Sequence, residues 1–249
     1  MNIGVFGCSF ANCSDEVQDI VWYNILAKQL NGYVYNFELN TKDKSYGEAA
    51  SSLFYSYNKF LTYNTLHDLN IFVVTDPYKF TKKIKAYDHR PDIFVPGIQN
   101  CDSHLKDSNL LDTAREAIKD IKSWYIVNDD EFMLHTAELM INNMVQKTTT
   151  KTIFIGAYID SRYNQNMKNH LCFDWGLWDL HNVQSKSLEI KASNFKESRT
   201  HMAAHFTKES NTILSNLLFN YIKFGTKETL PSSINHENKW NYYYEQRAI

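Results

Sequence analysis

Short, continuous apolar runs set the tightest limit on how this chain can fold. Three stand out: Asn2–Phe6 (NIGVF), Leu69–Val74 (LNIFVV) and 151–157 (KTIFIGA). Each is shorter than an ordinary buried helix and rich in β-branched or aromatic residues, so each reads as a strand buried on both faces. A strand of that kind needs a layer of structure above and below it. The intervening segments supply those layers. Across 15–30 the apolar residues Val17, Ile20, Val21, Ile25, Leu26 and Leu30 recur at helical spacing, with Gly32 as the expected stop. Residues 33–39 alternate and predict a second strand, and 47–61 predict a second helix. Helices are also expected over 110–125, 129–145 and 207–224, the last with Ile213, Leu214, Leu217, Leu218 and Ile222 on one side. Strands alternating with helices predict an α/β fold, a three-layer α/β/α sandwich around a mainly parallel central sheet.

A length of 249 residues suits one such domain, and a hydrophobic content of 43% is enough to fill its core. The net charge of −2 argues against a chain built to coat nucleic acid, which needs a basic excess. No run approaches the roughly 18 apolar residues of a membrane span, and no basic, then apolar, leader opens the chain. The expectation is cytoplasmic synthesis without a signal peptide, and no membrane partner. Residues 1–228 are assigned to the α/β domain. Within it, 79–107 reads as an insertion or lid, starting at the basic run KFTKKIK and broken by Pro91, Pro96 and Gly97. That basic run is a solvated surface or a contact for an anionic partner. Residues 229–249 form a polar arm carrying Trp240, Tyr242, Tyr243 and Tyr244, which either packs back on the domain or docks on a protein partner or a second copy. The region 158–200 does not parse cleanly. Its aromatic cluster Phe173, Trp175 and Trp178 reads as a satellite core rather than a ligand platform.

Ligands of open parallel sheets bind beyond the carboxyl ends of the strands. Here those tips are 7–10, 40–47 and 75–78. The first strand runs directly into Gly7-Cys8-Ser9-Phe10. A serine at such a tip sits where free backbone N–H groups favour developing negative charge, as acyl transfer requires. Read from the residues alone, Ser9 is either that nucleophile or a helix cap.

The stretch IGVFGCSF followed by WYNILAKQL resembles the opening of the SGNH (GDSL-like) hydrolases, in the style of phage-encoded members. The matching residues are Gly7, Ser9, Trp22, Leu26 and Ala27. Gly47, in SYGEAASS, is similar to the family's glycine in the loop after strand two, and AHFTKESNTILSNLL is similar to its C-terminal histidine block, with His205, Thr207 and Glu209 in register. The resemblance implies a flavodoxin-like topology and a serine esterase or deacetylase without metal or organic cofactor. Ser9 would be the nucleophile and His205 the base, with the backbone N–H groups of Ser9 and Gly47 holding the oxyanion. Its substrates would be small esters or O-acetyl groups of carbohydrate, and for a phage-encoded chain it implies a place in the virion.

Two family features are missing. The Gly-x-Asn-Asp block after strand three is replaced by Val74-Thr75-Asp76-Pro77, so Thr75 is the candidate substitute for the asparagine donor. The aspartate that precedes the family's histidine falls on Met202 or Ala203, leaving Asp76, His201 or Glu197 to orient the imidazole, or a Ser–His dyad. The alternative is therefore a catalytically weakened or inactive SGNH-fold subunit with a structural or binding role, as in a phage particle.

Other patterns carry less. His201 and His205 share the i, i+4 spacing of helical metal ligands but lack the adjacent Glu and a third ligand, so no metal is expected. Gly4, Gly7 and Ala11, with Glu38 beyond, do not match the spacing of a dinucleotide fingerprint. Cys8, Cys13, Cys101 and Cys172 follow no metal-ligand spacing and read as reduced thiols.

Overall fold

The computed structural model describes residues 1–7, 9–11, 19–37, 53–75, 82–84, 93–95, 98–127, 130–157, 159, 162–177, 179–180, 202–203 and 206–228. At its centre lie four strands: β1 (Asn2–Phe6), β2 (Tyr33–Asn36), β3 (Leu69–Val74) and β6 (Lys151–Gly156). They pair in the order β2-β1-β3-β6, and every pairing is parallel. The register sets Val5 beside Asn36 and Ile71, and Val74 beside Gly156. A parallel bridge from Phe154 to Leu171 carries the chain to a further position beyond β6.

The pleat divides the apolar strand residues between two cores. Ile3, Val5, Leu69, Ile71, Val73, Ile153 and Ile155 face one side. There they meet Trp22 and Leu26 of α1 (Trp22–Gln29) and Leu214 and Leu218 of the helix Lys208–Phe224, here α7. Phe6, Phe72, Val74 and Phe154 face the other side. Their partners come from α2 (Leu53–Tyr63), α5 (Asp130–Lys147) and α6 (Gln165–His170). Alternating side chains thus feed two cores from one sheet, which is the physical requirement for a three-layer α/β/α arrangement.

Around this frame lie smaller elements. A hairpin joins β4 (Lys82–Ile84) and β5 (Ile93–Val95) in antiparallel register. Helices α3 (Ile98–Leu105) and α4 (Asp112–Val127) close on their own cluster of Cys101, Leu110, Ala114, Ile118 and Ile121. The expected insertion therefore has regular structure within it and shares a core with the helix after it. Another antiparallel pair, β7 (Met202–Ala203) and β8 (Phe206–Thr207), leads into α7.

Several local expectations are corrected. Helix α1 begins at Trp22, with Asp19 and Ile20 in a 3-10 turn ahead of it. Its stop is set by Asn31, not by Gly32. Asn31 adopts a left-handed φ of 50°, and the N–H groups of Gly32 and Asn31 return to the carbonyls of Ala27 (2.8 Å) and Lys28 (3.3 Å). This is a Schellman closure, with the tolerant asparagine at the position that usually takes glycine. On α7, Leu214 and Leu218 are sealed in the core, whereas Ile213 is 39% exposed and does not belong to the buried face. Phe173 and Trp175 stack at 4.5 Å within the main core, so they are integral to it rather than a satellite.

Candidate active site

The strand tips converge on the turn that follows β1. Gly7 takes a φ of 138°, and a Cβ there would sit 2.5 Å from the Val73 carbonyl oxygen. Only glycine permits both that dihedral and that approach to β3. Ser9–Ala11 then form a single 3-10 turn. Three carbonyls at this turn are engaged by side chains from three different elements. Ser56 Oγ of α2 donates to the Gly7 carbonyl at 2.6 Å. The Trp22 indole Nε1 donates to the Phe10 carbonyl at 2.8 Å. Asn36 Nδ2, at the tip of β2, donates to the Ala11 carbonyl at 2.6 Å. The turn that carries Ser9 is thus fastened to three elements.

The chain from Phe206 onward approaches the same place. Phe206 is fully buried, and its ring packs 5.3 Å from the ring of Phe10. Asn211, in the first turns of α7 and also fully buried, spans the gap on a second route. Its Oδ1 accepts from the Trp22 backbone N–H at 2.9 Å, and its Nδ2 donates to the Phe206 carbonyl at 3.1 Å. The nearest sequence neighbours of Ser9 and His205 are therefore in direct contact. His205 itself, Gly47, Asp76, His201 and Glu197 lie outside the described residues, as do Cys8, Cys13, Trp178 and the 229–249 arm.

Thr75 caps β3 at this end. It is buried, and its Oγ1 meets no hydrogen-bond partner among the described residues. A buried hydroxyl left unpaired carries a desolvation cost of about 1–3 kcal/mol. Chain pairing continues beside it, where the Ala157 N–H donates to the Val74 carbonyl at 2.7 Å.

No family model matches this chain, and neither a curated protein nor a solved structure matches it. The site is accordingly read from its own chemistry. Among the described residues no group of three or more His, Cys, Asp or Glu side chains could hold a metal ion, and no helix is long and apolar enough to cross a membrane. The described cysteines are poor candidates for a nucleophile. Burial pushes the Cys101 thiol up to about 11 and raises that of Cys172 further, so both stay protonated and inert at neutral pH.

Away from the tips, toward the amino ends of the strands, a second polar group is structural. His67 Nδ1 and Asn70 Oδ1 crowd the Gly4 α-carbon, where a Cβ would fall 2.5 and 2.8 Å from them. Among the described residues neither atom finds a well-directed hydrogen bond, although the two side chains face each other. Burial lowers the His67 imidazole below its ordinary range, opposed by Asn70 and the nearby Asp68 charge. Asn70 Nδ2 donates to the Asn64 carbonyl at 2.8 Å, and Thr148 Oγ1 donates to Asn64 Oδ1 at 3.1 Å.

Sequence reasoning singled out Gly7 and Ser9 but missed Ser56, Asn36 and Asn211. A buried serine or asparagine is chemically indistinguishable in sequence from a solvated one. The usable signal was positional: Ser56 and Asn211 both interrupt the apolar stripe of a helix, where a polar residue needs a partner.

Proposed function

We propose that this chain is an SGNH-type serine esterase or deacetylase, acting on small esters or O-acetyl groups such as those of carbohydrate. The observation that carries the reading is the packing of Phe10 against Phe206 at 5.3 Å. It brings the chain neighbours of a candidate nucleophile and a candidate base, 196 positions apart from Phe10 to Phe206 (206 − 10), to one end of a parallel sheet. That is the end at which such sheets bind ligands.

In this mechanism Ser9 Oγ attacks the acyl carbonyl while His205 takes its proton. The backbone N–H groups of Ser9 and Gly47 stabilise the oxyanion. The tetrahedral intermediate collapses, the C–O bond to the alcohol breaks, and His205 returns the proton to the leaving oxygen. Water then repeats the sequence on the acyl-serine: His205 accepts its proton, and the carboxylic acid departs as Ser9 recovers its hydrogen. Removing one oxyanion donor in such a site costs about 2.7–4 kcal/mol of barrier.

The test is covalent. A fluorophosphonate is expected to label Ser9 in the folded chain, and p-nitrophenyl acetate turnover is expected to fall on the order of 10³-fold or more in Ser9→Ala and His205→Ala. Folded protein that takes no label on Ser9 and shows no turnover above the Ser9→Ala control defeats the proposal.

One observation favours the alternative, a non-catalytic SGNH-fold subunit with a binding role. The Thr75 hydroxyl, the candidate substitute for the family's asparagine donor, is buried away from solvent. On that reading the Asp76→Asn variant restores the family's donor and gains turnover that the parent chain lacks. Labelling of the parent chain at a rate equal to the variant's counts against it.

A further inference from the structure

We infer that Trp22 and Asn211 are positioning residues that together set the separation between the Ser9 turn and the segment bearing His205. The inference rests on the esterase reading for its function and on described geometry for its structure.

The argument starts at the N-terminus of α1. The first N–H groups of a helix have no partner within the helix. Val21, at the capping position, supplies no side-chain acceptor. The Trp22 N–H is instead capped from 189 residues away, by Asn211 Oδ1 at 2.9 Å. A local cap would stabilise α1 equally well. A distant one also fixes where α7 sits relative to α1.

Both halves of the Asn211 amide are in use, and the second half reaches the carbonyl of Phe206, the residue after His205. The same tryptophan whose backbone is capped extends its indole N–H to the carbonyl of Phe10, the residue after Ser9. The result is a closed path: Phe10 carbonyl, Trp22 indole, Trp22 backbone, Asn211 amide, Phe206 carbonyl, and back through the Phe206 and Phe10 rings. Trp22 and Asn211 are both fully buried, so water cannot replace either bond without opening the core. A ring of short, directional contacts resists displacement far better than apolar packing alone, because each hydrogen bond is lost steeply with distance and angle. Nucleophile–base geometry is sensitive on that scale: a displacement of about 1 Å can cost on the order of 100-fold in rate.

The experiment separates position from chemistry. Trp22→Phe keeps an aromatic ring and removes the indole donor. Asn211→Asp is isosteric, keeps the acceptor for the Trp22 N–H, and sets a carboxylate oxygen against the Phe206 carbonyl. Circular dichroism identifies the variants that fold. In those, kcat for p-nitrophenyl acetate is expected to fall about 10- to 100-fold with KM changed less than about twofold, and fluorophosphonate labelling of Ser9 is expected to slow in parallel. A second readout needs no activity. Ser9→Cys and His205→Cys are joined by a propyl-bridged bis-methanethiosulfonate, and the linked peptides are identified by mass spectrometry. The link is expected in the otherwise unaltered chain and slowed several-fold when either positioning variant is added.

Folded variants with unchanged kcat and unchanged cross-linking overturn the inference, and so does a rise in KM at constant kcat. Absence of the link in the otherwise unaltered chain overturns it too. Cross-linking that depends on Trp22 and Asn211 in a chain that hydrolyses no ester and takes no label upholds the positioning role and removes the esterase reading.

Discussion

Gly7 is the residue on which the candidate site is most exposed to a single change. Its φ of 138° lies in a region that L side chains rarely adopt, and a methyl group would meet the Val73 backbone at 2.5 Å. The dihedral strain alone is worth about 1–3 kcal/mol, and the overlap adds to it. Gly7→Ala is therefore expected to lower the urea midpoint by at least that equivalent, and a variant of parental stability would contradict the description of this turn. Ser56→Ala is the milder counterpart. It removes the 2.6 Å bond to the Gly7 carbonyl, and a loss of about 1–3 kcal/mol is expected by the same measurement.

His67 gives the molecule a pH dependence whose sign follows from its burial. Its folded-state pKa lies below the ordinary histidine value of 6.5, so the unfolded chain binds the proton more readily than the folded one. Stability is then fully present above about 6.5 and is lost as pH falls from there through the folded-state pKa. His104, also lowered by burial, contributes in the same direction. Urea titrations between pH 7.5 and 5 are expected to show falling stability, with a smaller slope in His67→Phe. An unaltered slope in that variant would assign the dependence elsewhere.

Among the elements, α1 and α7 show how local rules and packing divide the work. The closure of α1 is local: Asn31 tolerates a left-handed φ and frees Gly32 to complete the hydrogen-bond pattern. A β-branched residue tolerates that conformation poorly, so Asn31→Val is expected to cost about 1–2 kcal/mol, read as a drop in the thermal midpoint. The face of α7 is decided by packing. Leu214 is sealed and Ile213 is 39% exposed, although both fit the same apolar stripe in sequence. Leu214→Ala is expected to cost about 2–5 kcal/mol and Ile213→Ala well under half as much. Equal losses would show that the helix is rotated from the orientation described.

At the scale of the whole molecule, the N-terminal and C-terminal parts of the chain share one core. Helices α1 and α7 cover the same face of the sheet, and Gln29 on α1 bonds both Asn216 (2.7 Å) and Ser215 (2.8 Å) on α7. The sheet cannot bury Ile3, Val5, Leu69 and Ile71 on that side until α7 has been made. A chain ending before Lys208 is expected to expose this face, bind a hydrophobic dye and lose its near-UV circular dichroism. Retention of a cooperative thermal transition by the truncated chain would show that the two parts are independent.

The strands were legible in the sequence because burial on both faces leaves an uninterrupted apolar signature: 2–6 and 69–74 are where the residues predict them, and the strand at 151–156 ends one residue short of its run. The parallel, layered arrangement followed from the helical periods between them, and the turn at Gly7 followed from its place at a strand tip. Ser9 was marked out as a candidate in the same way, together with a resemblance at the two ends of the chain. What the sequence could not carry is which polar groups lose their water. Ser56 and Asn211 are ordinary hydrophilic residues until folding buries them, Ser56 against a backbone carbonyl and Asn211 between an N–H and a carbonyl; Asn36 is one until folding brings it to the Ala11 carbonyl; and Ile213 and Leu214 are equivalent until a sheet picks one of them. Strand and helix identity is written in short-range periodicity, whereas the partner of a buried hydrogen-bonding group is set by long-range chain proximity, and only the tertiary structure brings residue 22 to residue 211.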